Sequence, residues 1–137
     1  MKTTFDTDAI LFDLLSKSPV KNAISGGIYV GDDRPDNSTD EDIVVNSITL
    51  TQDYLPQIGT SNVNIYVADS NKKIKGKQQL KANRTRLKSL SEKAMEVLRG
   101  ARITGLKLIP TSQVTLAEPD VKQHYVNIRI EWNIQTD

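Results

Sequence analysis

NVNIYVAD, residues 62–69, alternates without a break. Val63, Ile65 and Val67 fall on one side and Asn64, Tyr66 and Ala68 on the other, which is the two-residue period of a strand with one face buried. YVNIRIEW, residues 125–132, repeats the pattern, with Val126, Ile128, Ile130 and Trp132 on one face and Tyr125, Asn127, Arg129 and Glu131 opposite. Two such strands need an apolar cover, and the chain between them carries one. Leu87, Leu90, Ala94, Val97 and Leu98 recur at helical spacing after Asn83, a good N-cap residue, and before Gly100, which suits a C′ position.

Further out, Ile10, Leu11, Leu14 and Leu15 predict a first helix over about 7–18, behind caps at Asp6, Thr7 and Asp8 and ahead of Pro19. Pro19 then starts a helical turn closed by Gly26 and Gly27, and a strand follows at Ile28–Val30. IVVNSITL, from Ile43, is β-branched and reads as a strand, with TQDYLPQIGTS as its connection to the next. Leu106, Leu108, Val114 and Leu116 suggest one or two short strands around Pro110. The expected fold is α+β, a single domain over residues 1–137. It is a mainly antiparallel sheet of four to five strands with two helices packed on one face.

Composition narrows the function. The chain has 137 residues, 37% of them apolar and 26% charged, and its formal net charge is +1. A domain of this size buries roughly 65–70% of the surface its unfolded chain exposes, so one real core is available. The near-neutral balance argues against a surface that binds polyanions everywhere. With no cysteine, the fold depends on neither disulfides nor thiolate metal sites. The N-terminus is broken by Asp6, Asp8 and Asp13 and does not read as a signal peptide, and no stretch has the length of a membrane span. The expectation is a protein that stays in the cytoplasm where it is made and has no membrane partner.

Chemistry is sparse. The one histidine, His124, precedes a clean strand and reads as a satisfied or solvent-facing strand-end residue. Zinc needs three or four clustered ligands, and neither HExxH nor CxxC is present. Asp36, Ser38 and Asp40 alternate as calcium ligands do, but Glu41 stands where an EF-hand loop needs glycine and Ser47 where it needs glutamate. Gly26-Gly27 lacks the spacing of a phosphate-binding loop. The residues therefore point to no catalytic group, no metal and no cofactor, and to a protein that is not an enzyme.

Two charged segments remain. NKKIKGKQQLKANRTRLK, residues 71–88, holds Lys72, Lys73, Lys75, Lys77, Lys81, Arg84, Arg86 and Lys88 and no acid. GDDRPDNSTDED, residues 31–42, holds Asp32, Asp33, Asp36, Asp40, Glu41 and Asp42 with one arginine, and reads as an exposed loop. The basic run has three readings. It is a solvated loop running into a helix start, or a phosphate-binding surface without aromatic residues for base stacking. Otherwise it is half of an interface whose other half is the acidic loop of a second copy, a head-to-tail contact that closes into a ring if the rotation permits. Before Asn83 it should form a mobile loop or a projecting hairpin.

ILFDLLSKSPVKNAISGGIYVGDDRP, from Ile10, resembles the opening of the tail-terminator or tail-completion proteins of long-tailed bacteriophages. It has their short leucine-rich helix, second helical turn, Gly-rich step and Ile-Tyr strand leading to a Pro-containing loop. The later order, SNVNIYVAD followed by a helix of the RLKSLSEKAMEVL kind and a closing strand, is similar to theirs as well, while the basic insertion at 71–83 departs from the compact members. The resemblance implies a virion protein of the tail or neck, a subunit of a homo-oligomeric and often hexameric ring. Such a ring caps the tail-tube protein, joins it to the head-side connector protein and surrounds a passage for genomic DNA. It gives the basic loop two places to act, at the inner wall in non-specific contact with DNA or at a face against a protein partner. The alternative from another class is a small nucleic-acid-binding module using residues 72–88.

Overall fold

The two alternating segments pair with each other in the computed structural model, which describes residues 1–136. In chain order the elements are α1 (Thr4–Ser16), α2 (Pro19–Ala23), β1 (Ile28–Val30), β2 (Ile43–Leu50), β3 (Gln57–Ala68), β4 (Ser70–Ile74), β5 (Lys77–Lys81), α3 (Arg84–Gly100), β6 (Leu106–Glu118) and β7 (Gln123–Ile134). Five strands form one sheet in the order β1-β2-β3-β7-β6, and β4 and β5 form a separate two-stranded hairpin. Val63 stands opposite Ile128 and Ile65 opposite Val126 in the β3–β7 ladder. Every pair in the large sheet is antiparallel except β1 with β2. The fold is thus the α+β arrangement that the alternation predicts, with a third, five-residue helix, α2, grown from the turn at Pro19.

One face of the sheet meets the helices. Val63, Ile65, Val67, Val126, Ile128, Ile130 and Trp132 are buried there with Leu11 and Leu15 of α1 and with Leu87, Leu90, Ala94 and Leu98 of α3. A chain of hydroxyls crosses this core and satisfies its one indole. Trp132 Nε1 donates to Ser61 Oγ at 2.7 Å, Ser61 Oγ lies 2.7 Å from Ser47 Oγ, and Ser47 Oγ lies 2.6 Å from Thr7 Oγ1. Thr7 Oγ1 in turn donates to the Thr4 carbonyl. Among the described residues every buried side-chain polar atom except Asp8 Oδ1 has a partner, as burial away from water requires. The opposite face is polar, with Asn127 donating to both Asn64 and Asn62.

Four sequence expectations change in detail. The first helix starts at Thr4 rather than 7, because the Asp6 carboxylate accepts the Thr3 N–H at 2.7 Å and caps the helix one turn earlier. The connection before β3 is shorter than expected, since the strand already begins at Gln57, whose buried amide holds the Lys2 and Thr51 carbonyls. Residues 106–118 form one strand of 13 residues. Pro110 does not break it because β6 is an edge strand, where a missing N–H costs no ladder bond, and a register shift lies between Pro110 and Ser112. Gly100 closes α3 as its last helical residue and is not a left-handed C′ residue.

Candidate interaction site: a basic hairpin and an acidic loop

The basic run is divided between two elements. Its first part is the β4–β5 hairpin, with Lys72 opposite Gln79, Lys73 opposite Gln78 and Ile74 opposite Lys77. Lys75 and Gly76 take the two turn positions, both with positive φ, 50° and 79°. That is the geometry of a two-residue type I′ turn, whose twist matches that of the strands it joins. Asn-Gly is the usual signal for this turn, and Lys-Gly conceals it. The hairpin strands pair only with each other, and every residue from Asn71 to Lys81 is exposed except Gln79. Five-residue strands reach roughly 17 Å, so Lys72, Lys73, Lys75, Lys77 and Lys81 stand on a projecting arm with no acid among them.

The second part opens α3, and here the cations are partly engaged. Asn83 caps the helix by accepting the Arg86 N–H. Arg86 then turns its guanidinium onto Glu41, with Nε 2.6 Å from Oε2 and a second nitrogen 2.8 Å from Oε1, and also donates to the Ala23 carbonyl. The paired guanidinium holds the Glu41 carboxyl below the usual carboxylate range, and Glu41 raises Arg86 in return. Lys88 lies 3.7 Å from Glu92 in an exposed i,i+4 pair, which contributes little. Arg84 is exposed.

The acidic loop is likewise more built than its composition suggests. Asp42, expected on an exposed loop, is 1% exposed. It accepts from Gly27 N at 2.9 Å, Arg34 Nε at 2.8 Å and Ser38 Oγ at 2.6 Å. Arg34 goes on to Gln123 Oε1 at 2.7 Å and to the carbonyls of Ser38 and Asp40, and its guanidinium carbon lies 3.9 Å above the Tyr66 ring. Tyr66 stacks on Tyr125 with centroids 4.8 Å apart, and burial pushes its phenol up. Arg34 is therefore the hub around which residues 34–42 fold against the end of the sheet.

The Gly26-Gly27 step belongs to the same construction. A Cβ at Gly26 would collide with the Asp42 carboxylate and the Glu41 carbonyl, and Gly26 N donates to that carbonyl at 2.9 Å. Of the six acids, Glu41 and Asp42 thus serve the interior of the chain, and Asp32, Asp33, Asp36 and Asp40 remain exposed. The expectation of a wholly exposed acidic loop is corrected to that extent, because two arginines supply buried or half-buried counter-charges.

His124 Nδ1 lies 2.6 Å from Asp69 Oδ1. No group of three or more His, Cys, Asp or Glu side chains among the described residues is arranged to hold a metal ion. No described helix is long and apolar enough to cross a membrane. No protein-family model matches the chain, and no curated protein matches it in sequence.

Proposed function

We propose that this chain is a structural subunit that assembles with copies of itself, head to tail, into a closed ring of the phage tail-terminator kind. In that role it caps a tail-tube protein below a head-side connector protein and works by shape and charge complementarity without catalysis. One observation carries the reading. A domain with one well-packed core extends an arm of five exposed lysines that has no ion-pair partner among the described residues, while four acids stay exposed on a loop of the same molecule. Two different surfaces of opposite charge on one chain make a heterologous contact, and such contacts close into rings when the rotation permits. The tail-terminator assignment itself rests on the resemblance of residues 10–35, 61–69 and 86–98 and the closing strand to that family, from which the basic insertion at 71–83 departs.

A second reading is favoured by the shape of the arm. A two-stranded antiparallel ribbon fits the major groove of DNA, and unpaired lysines neutralise phosphates in a salt-dependent manner. Engagement of Arg86 by Glu41 removes Arg86 from the basic surface available for this and leaves the hairpin, Arg84 and Lys88. Sedimentation at low and high salt, with and without duplex DNA, separates the two. Self-assembly in the absence of DNA supports the ring, and a monomer that sediments faster only with DNA supports the second reading.

A further inference from the structure

The outer edge of β1 carries no strand, and α1 runs beside it. Between them lies a groove of about 360 Å³. Its walls are apolar, with Phe12, Ile28 and Val30 half-buried and Phe5 80% exposed. Its rim is acidic, formed by Asp8, Asp13 and Asp33. None of the three pairs with a cation among the described residues. Oδ1 of Asp8 is buried and accepts no hydrogen bond, a costly arrangement for a polar atom out of water. An apolar slot whose acidic rim has no cation partner among the described residues fits an apolar knob flanked by cations.

The hairpin tip has that composition. Ile74 is 37% exposed, and Lys73, Lys75 and Lys77 surround it on a turn closed by Gly76. We propose that the groove between α1 and β1 receives the hairpin tip of a second copy of this chain, with Ile74 seated against Phe5 and Phe12 and the lysines facing Asp8, Asp13 and Asp33. This rests on the head-to-tail reading above and assigns its acceptor surface. The acceptor is the α1–β1 groove, with the 31–42 loop contributing through Asp33 at its margin. Hairpin and groove are different surfaces of one chain, so each copy can give a tip and receive one.

The chain has no cysteine, which makes disulfide trapping clean. Ile74→Cys protein is mixed with Phe5→Cys protein at low salt under mild oxidation, and separately with Thr39→Cys protein, on the acidic loop, and Lys93→Cys protein, on the exposed face of α3. All four sites are exposed, so folding is preserved. The groove predicts that Ile74→Cys cross-links to Phe5→Cys faster than to Lys93→Cys by on the order of tenfold or more, because docking raises the effective thiol concentration. Preferential trapping at Thr39 overturns the groove while leaving the head-to-tail contact in place. Equal slow trapping at all sites, by a protein that sediments as a monomer, overturns the groove and the head-to-tail reading together. Phe5→Cys that stays untouched by the hairpin of an assembled ring also overturns the groove, whatever else occupies it.

Discussion

Arg86 and Glu41 are joined by two hydrogen bonds, 2.6 and 2.8 Å long, between the first turn of α3 and the end of the acidic loop. This pair takes one cation and one acid out of any contact with a neighbour and fixes the loop to the helix instead. It also accounts for an arginine at a helix N-terminus, where the dipole disfavours positive charge.

Because Glu41 is depressed in the folded chain, it stabilises the fold above its unfolded value near 4.5, and that stabilisation is lost as pH falls through the lower folded value. Glu41→Gln should cost about 1 kcal/mol at neutral pH, the charge-assisted bonds being discounted for solvent access to Arg86. Urea unfolding of both proteins at neutral and acidic pH checks this. The gap between them should close below about pH 4.5, and a gap that persists unchanged in acid would mean that the pair is not its source.

Much of the fold was legible because burial writes a period into sequence. Val63, Ile65 and Val67 on β3, Ile128 and Trp132 on β7, and Leu87, Leu90 and Ala94 on α3 all face the core as their spacing requires. The site was less legible, because polar contacts have no period. Nothing around Arg34 distinguishes a hub arginine from a solvated one, and acids among turn residues read as exposed unless their counter-ions are known. Asp42 is the plainest case. The Gly-Gly step was the one available signal that backbone comes close there. Likewise Pro110 looks like a strand break until its strand is known to lie at an edge.

Ile128 is fully buried between β3 and the helices. Ile128→Ala should lower unfolding stability by about 2–5 kcal/mol in a denaturant titration. A change close to zero would mean that the core face is wrongly assigned.

Two glycines should respond with opposite sign. Gly26→Ala must push the Asp42 carboxylate and the Glu41 carbonyl apart, and an overpacked site of this kind costs about 1–3 kcal/mol. Gly100→Ala meets nothing within 4 Å at the end of α3 and should stabilise by up to about 1 kcal/mol. Thermal melts of the two variants, run side by side, check the contrast.

Lys75 holds φ 50° at the hairpin turn, a left-handed conformation that asparagine tolerates better than lysine. Lys75→Asn should therefore slow amide exchange across the β4–β5 pairs without altering the rest of the sheet. Exchange followed by NMR would show this directly, and faster exchange in the variant would contradict the turn assignment.

The central claim is that the lysine arm holds copies together, and reversing its charge tests this most directly. Lys72, Lys73, Lys75 and Lys77 are all exposed, so the fourfold change to Glu should leave the circular dichroism and melting of the subunit intact. Analytical ultracentrifugation at low salt should find the natural chain as a ring-sized oligomer that dissociates as salt screens the contact, and the reversed chain as a monomer throughout. A reversed chain that assembles like the natural one, or that loses affinity for DNA instead, would contradict the account.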